Sequence, residues 1–358
     1  MAVTNITPLE LCLKMQQGLD TIVGQIPQEV ATNGFLKAVT SAENTQGLQD
    51  IATNTKDGKT YQASVKFNQP RCNSVTDTAT NICTAVTALT NPNKEFTVTV
   101  DEYSTTVMTL NKERYRTICD TYDAAFAFEL GNAVRALRRD VNDRALTKLT
   151  TLTNTYFDGT SSALASATEK TLKLFNPEFK PNAMGWATFK REYARKGYQD
   201  VAPIVIGGDP IENFKMAQAM FAGNYDKTFD VAKINNISLY TDYALDVIAN
   251  DTYNHFLSWT PGHVRLLEAY NYTGVFEEKR PEGVKTTMVM DGFKFDVAIY
   301  DPFCGSGDVT ITISKKWDLF TVPSTAVAEC SGQRTVLGWT VDCGDLSCLD
   351  AQTSPIID

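Results

Sequence analysis

Histidine is almost missing from this chain: of 358 residues only His255 and His263 carry an imidazole. Imidazole is the usual proton carrier near neutral pH, so its scarcity narrows the room for general acid–base catalysis. Both histidines lie in HFLSWTPGH, an apolar segment with a turn, where a structural or surface role is expected. Cysteine is sparse as well, at positions 12, 72, 83, 119, 304, 330, 343 and 348, and no C-x-x-C pair occurs. That excludes a disulfide scaffold and the common zinc-ribbon spacing. Cys343 and Cys348 are five apart with no histidine beside them, so burial is expected there and not a metal. Cys72 and Cys83 flank one polar loop, and a bridge between them would require an oxidising milieu. No apolar run approaches the ~18 residues of a membrane-spanning helix. The start, MAVTNITPLELCLK, lacks the basic and apolar regions of a signal peptide, so the expectation is a soluble chain made in the cytoplasm.

Positive charge is in deficit too. With 33 Lys and Arg against 42 Asp and Glu, the net charge is −9. A protein that lives by gripping duplex DNA needs clustered cations to displace counterions, and this balance argues against one. It leaves open a protein that encloses nucleic acid without gripping it. The Walker loop, the G-x-S-x-G elbow and HExxH are all absent. No catalytic constellation, cofactor site or metal site is read from the sequence, and the chain is expected not to be an enzyme.

One fragment invites the opposite view. DPFCGSG (301–307) resembles the S-adenosylmethionine loop of the amino-methylating DNA and RNA methyltransferases. In that family the loop follows a strand and opens a helix, whose amides receive the cofactor. Here FKFDVAIY supplies a strand before it, but Val309, Ile311 and Ile313 alternate after it, which is strand periodicity. Asp308 stands where that family has threonine or asparagine, and no Asp/Asn-Pro-Pro-Tyr tetrapeptide occurs. Glu329 lies about 20 residues on, where a ribose-binding acid would be expected, but nothing around it reads as a strand end. Asp-Pro and Gly-Ser-Gly are common turn chemistry, so the fragment reads as a turn between two strands. VIGGDPIEN likewise lacks the spacing of a phosphate loop and reads as a strand-to-helix turn.

The elements that are present come in a telling order. TPLELCLKMQQGLDTIVG (7–24) has helical spacing after a Thr-Pro start, and residues 27–55 are mixed and polar. KTYQASVKF (59–67) and KEFTVTVDEY (94–103) alternate as strands around a Thr- and Asn-rich excursion. An isolated two-stranded ribbon is marginal in water, so this one is expected to lie against something else, a neighbouring copy included. From Asn111 to about Tyr156 apolar residues recur at steps of three and four, with no proline and only Gly131 inside. Asn111 can cap such a helix and Gly159 end it. Its polar face carries Arg135, Arg138, Arg139, Arg144 and Lys148, which fit a solvated face or an inter-subunit or nucleic-acid contact. A small, polar linker (160–183) follows. From Met184 the pattern turns to α/β, and alternating strands return toward the C-terminus.

That order resembles the major capsid proteins of tailed bacteriophages, the Hong Kong 97-type shell fold shared by encapsulin compartments. The resemblance covers most of the chain, and SWTPGHVRLLEAY, DGFKFDVAIYD and KKWDLFTVP are similar to the closing region of such proteins. It implies an α+β fold with an N-terminal arm (1–56), an E-loop (57–110) and a P-domain with a spine helix (111–183). An axial A-domain (184–300) follows, with C-terminal strands (301–358) returning to the P-domain. It further implies self-assembly into pentamers and hexamers of an icosahedral shell around DNA, in a virion built in the host cytoplasm. Portal protein, and scaffold or decoration proteins, are the partners it implies. An encapsulin-like compartment shell or another virion structural protein is the alternative. Some relatives join an E-loop lysine to a neighbour's asparagine; Lys56, Lys59, Lys66 and Lys94 are available, and spacing selects none of them. The turn reading of 301–307 predicts that calorimetry with S-adenosylmethionine gives no heat of binding; binding that Gly305→Ala abolishes would overturn it.

Overall fold

The structure is a computed structural model and describes residues 33–45, 52–56, 60–68, 93–111, 122–151, 155–157, 171–175, 182–195, 202–222, 232–234, 237–248, 255–269, 277–279, 283–290, 293–300, 308–323 and 336–342. The expected helix at 7–24, the turn at 301–307 and all eight cysteines lie outside them. Two short helices come first, α1 (Gly34–Thr40) and α2 (Ala42–Thr45). Strands β1 (Ala52–Lys56), β2 (Thr60–Asn68), β3 (Asn93–Val100) and β4 (Glu102–Asn111) precede the long helix α3 (Tyr122–Thr151). Next are β5 (Thr155–Phe157), β6 (Thr171–Lys173), α4 (Ala183–Arg195), β7 (Ile204–Gly207) and α5 (Asp209–Ala222). They are followed by β8 (Ala232–Ile234), β9 (Ile237–Thr241), α6 (Ala244–Ile248) and β10 (His255–Trp259). The last strands are β11 (Val264–Ala269), β12 (Glu277–Lys279), β13 (Gly283–Met290), β14 (Phe293–Tyr300), β15 (Asp308–Thr321) and β16 (Val336–Asp342).

The long helix is shorter than the sequence pattern suggests. It runs for 30 residues, about 45 Å at 1.5 Å per residue. Asn111 does not cap it: this residue ends β4, paired with Asp308, and Tyr156 belongs to β5. The reason is pairing. The β-branched run Thr105-Thr106-Val107 favours a pleated strand, and β15 offers a full ladder of partners from Asp308 to Trp317. Within α3 the predicted stripe holds, because Leu130, Val134, Leu137, Val141, Ala145 and Leu149 are all buried. These steps of three and four keep one face turned to the core.

β2 and β3 pair antiparallel from Tyr61–Val100 to Asn68–Asn93, as the alternation predicts, and β1 adds a third strand through Ala52–Ser64 to Lys56–Thr60. The ribbon rests on its own chain at one end. Val65 and Val100 are buried with Leu267, Ala269, Phe320 and Val322, and the Phe96 ring lies 5.9 Å from that of Phe320.

Two larger sheets flank the helix. One is mixed, in the order β5-β16-β10-β7-β9-β8 with β6 also on β16. The other runs β11-β15-β14-β13-β12, with β4 on the free side of β15. β14 and β15 are antiparallel neighbours, Tyr300 opposite Thr310, so 301–307 joins two adjacent strands and not a strand to a helix. β7 does lead into α5 through Gly208, as read for VIGGDPIEN. The C-terminal strands divide between the sheets: β15 packs with α3, while β16 enters the mixed sheet beside β10.

The mixed sheet is covered on both faces, so its central strands read as continuous apolar runs. Alternate residues serve different cores. Ile204, Ile206, Tyr240, Leu257 and Trp259 face the core shared with α1 and α3. Val205, Leu239, Phe256 and Trp339 face Trp186 and Phe189 of α4 and Ile211 and Phe214 of α5. No described helix is long and apolar enough to cross a membrane. Residues 27–55, read as mixed and polar, hold a closely docked helix. Phe35 and Ala38 are fully buried, and a Cβ on Gly34 would stand 1.9 Å from the Thr241 carbonyl oxygen. Gly34→Ala should therefore cost about 1–3 kcal/mol, read as a lower urea midpoint with faster exchange of the α1 amides.

Candidate functional site: a buried polar junction and an arginine face

The first turn of any helix leaves N–H groups without intrahelical partners. In α1 the residue at the N-cap position, Asn33, makes no side-chain cap bond. The caps come instead from distant chain. Phe35 N–H donates to Asp242 Oδ2 at 2.9 Å, and Leu36 N–H donates to Asn142 Oδ1 at 3.1 Å. Asn142 on α3 also donates from Nδ2 to Asp242 Oδ2 at 2.8 Å, and Ala244 N–H donates to Asp242 Oδ1 at 3.1 Å. One carboxylate thus joins α1, α3, the end of β9 and the start of α6. An anion at a helix N-terminus is also favoured by the helix dipole.

A second amide closes the other side. Asn44 is fully buried; its Nδ2 donates to the carbonyls of Val39 and Val264, both at 2.8 Å. Its Oδ1 accepts from Trp259 Nε1 at 3.2 Å and from Gly262 N–H at 3.0 Å. All the hydrogen-bonding capacity expected of a buried amide is used, which fixes the β10–β11 turn at Gly262 (φ 85°).

Charge is unbalanced around Asp242. Burial pushes its carboxyl up to about 6 against the lowering effect of its three donors. Asp246, on α6, is pushed up to about 7, first by burial and then by the charges of Asp209 and Asp242. Burial and Glu212 raise Asp209 as well. Lys215 stands nearby, its Nζ 2.6 Å from Thr241 Oγ1 and 3.9 Å from Glu212 Oε2. His263, buried beside the same turn, is pushed down to about 4 by burial, so it is neutral at ordinary pH. These groups hold hydrogen bonds and protons. No set of three His, Cys, Asp or Glu among the described residues could hold a metal ion.

The arginine face of α3 is divided. Arg144 turns to its own chain: it pairs with Glu102, donates to the Tyr103 carbonyl at 3.0 Å and to Ser104 Oγ at 3.1 Å, and stacks over Trp317 at 5.5 Å. Lys148 bridges Glu102 and the nearly buried Asp318. Burial alone would lower Lys148, but the bond and charge of Asp318, then Glu102, leave it raised. Together these pairs tie α3 to β4 and β15. Arg139 is exposed, with Asp143 within ion-pair reach at 3.8 Å, and Arg135 and Arg138 are half-buried. Cys72 and Cys83 lie outside the described residues. The sequence reading missed Asn44, Asn142, Asp242 and Asp246. Only Asp242 had a local signal, an aspartate between the strand ISLYT and the helix ALDVI.

No family model matches the chain, and no curated protein matches it. Among solved structures, the capsid asymmetric unit of cyanophage A-1(L) is similar at a TM-score of 0.51 and 9% identity, over 88% of this chain and 94% of that one. The chain has a phage capsid fold. A Mycobacterium phage Che8 structure (TM-score 0.44, 12% identity, 89% and 95% covered) is also similar. So is a virus-like particle from Pyrococcus furiosus (TM-score 0.45, 9% identity, 91% and 98% covered). In this capsid fold the polar junction locks the segment entering from the N-terminal side against the long helix. Asn44→Ala would strand Trp259 Nε1 and Gly262 N–H without acceptors. It should destabilise by at least about 2 kcal/mol, measured as a shifted urea midpoint at unchanged m.

Proposed function

We propose that this chain is the major capsid protein of a tailed bacteriophage, a subunit that self-assembles into the icosahedral shell enclosing phage DNA. The observation that carries the reading is the fold shared with the cyanophage capsid over nearly the full length of both chains. In this reading 1–56 is the N-terminal arm, 57–110 the E-loop, 111–183 the P-domain with α3 as its spine, 184–300 the A-domain and 301–358 the returning strands. The ribbon β2–β3 then acts as the E-loop, packed on the body of the subunit through Val65 and Val100.

The surface supports assembly. The outer face of the β4–β15–β14–β13 sheet exposes Tyr103, Val107, Val289 and Tyr300. A neighbouring subunit seated on this face would bury these apolar side chains, which favours association. Heterologous contacts of this kind close into rings when the rotation allows, giving pentamers and hexamers. The net charge of −9 suits a wall that packaged DNA must not adhere to. We assign Arg135, Arg138 and Arg139 to a contact with a neighbour or with DNA, and Arg144 to holding β4. Portal protein, with scaffold or decoration proteins, would complete the virion.

Negative-stain microscopy of the purified chain should show icosahedral particles or hexameric capsomers. A lone monomer at high concentration would overturn the reading. Mass spectrometry of co-purifying material separates a phage shell, found with DNA and portal protein, from an encapsulin-like shell loaded with an enzyme. Reversing Arg135, Arg138 and Arg139 to glutamate should reduce assembly if they face a neighbour, and alter DNA retention alone if they face the genome.

A further inference from the structure

β3 ends at Val100 and β4 begins at Glu102, so Asp101 carries the chain from the three-stranded sheet to the six-stranded one. Before it, β3 packs Phe96, Val98 and Val100 on Leu267, Ala269 and Phe320. Those residues alternate with Leu266, Trp317 and Leu319 of the shared core, so they lie on the opposite face of β11 and β15. After it, β4 pairs with β15 from Asn111–Asp308 to Glu102–Trp317. In that register the next rung would set Asp101 against Asp318. The Asp101 N–H donates instead to the Asp318 side chain, 3.4 Å from Oδ2. The ladder stops there, and the chain turns from the edge of the sheet onto its face.

Asp318 also reaches the long helix. Its Oδ1 accepts from Leu319 N–H at 2.6 Å and from Lys148 Nζ of α3, which meets Glu102 at 3.4 Å as well. The Asp318 side chain is 8% exposed and that of Lys148 30%. A carboxylate so placed depends on its cation, because removing one partner of a buried pair strands the other charge. Lys148 is freer to leave, since its flexible stem can return the ammonium to water. The two sides of Asp101 are unequally held. β4 keeps its ladder and the Arg144 bonds to Glu102, Tyr103 and Ser104 whatever Lys148 does. The ribbon has its small apolar seat and the bond at Asp101.

We propose that Lys148 and Asp318 form a latch on the ribbon: closed, it keeps β3 seated on β11 and β15, and open, it lets the ribbon lift about Asp101 while β4 stays in place. Without Lys148 the Asp318 carboxylate turns toward water and gives up the Asp101 N–H. The ribbon then leaves as a unit, because the β2–β3 pairing does not involve the body. This is a local opening, cheaper than unfolding the subunit. It bares Phe96, Val98 and Val100 together with Leu267, Ala269 and Phe320, so the latch governs when the subunit offers this apolar surface to another molecule. Salt loosens it, since Lys148 stands partly in solvent.

The latch works within one subunit and does not need the shell reading, so either can fail alone. Hydroxyl-radical footprinting of the full chain tests it. Lys148→Met keeps an apolar stem and removes the charge; it should raise oxidation of Phe96 and Phe320 about threefold or more. Trp259 and Trp339, buried in the mixed sheet, should stay as they are in the wild type. Taking the wild type from about 0.05 M to about 0.5 M salt should raise the same two phenylalanines about twofold. Unchanged oxidation of Phe96 and Phe320 in the variant would overturn the proposal. So would an equal rise at Trp259 and Trp339, which reports general loosening. If the variant does not fold, the salt series on the wild type decides: a rise confined to Phe96 and Phe320 supports the latch, and no rise, or a uniform one, overturns it.

Discussion

A seven-residue helix cannot hold itself together in water, because nucleation costs more than so few hydrogen bonds return. α1 exists because Asp242 and Asn142 supply the caps its own N-cap residue does not, and because Gly34 lets its backbone approach Thr241. From that contact the architecture follows outward. Asn142 fixes the rotation of α3, Asp242 fixes the end of β9, and Asn44 fixes the turn between the two large sheets. The buried polar atoms specify one arrangement of apolar faces that could otherwise slide. Phe35 packing edge-on against Trp259 then completes the shared core.

The long helix transmits this arrangement. Its buried stripe packs between the mixed sheet and the antiparallel one, and at its C-terminal end Arg144 and Lys148 reach Glu102 and Asp318. Glu102 is the first residue of β4, directly after the ribbon ends, so the ribbon's base is held by ion pairs as well as by its small apolar cluster. Partly exposed pairs of this kind contribute modestly one by one, and more as a connected group. In the proposed reading, a body carrying a ribbon and an exposed sheet face suits a shell subunit, whose neighbours would bury both.

Much of the fold was legible in the sequence wherever one periodicity ran without competition. The ribbon strands, the stripe of α3, the strand–turn–helix at VIGGDPIEN and the antiparallel neighbours around 301–307 all followed from spacing. Asn111 failed as the helix cap because it pairs with Asp308 of β15, some two hundred positions away, and no local spacing announces that partner. α1 failed because GFLKAVT is too short to show a period.

The sequence by itself determined the broad chemistry: few histidines, no catalytic motif, a negative balance, and an order of elements resembling a phage shell protein. Only the tertiary structure decided which polar residues matter. Asn44, Asn142, Asp242 and Asp246 look like ordinary surface residues in a list. Each becomes decisive because folding removes its water and leaves a partner from distant chain, or, at Asp246 Oδ1, none among the described residues. Burial and pairing are properties of the assembled chain, and no local spacing encodes them.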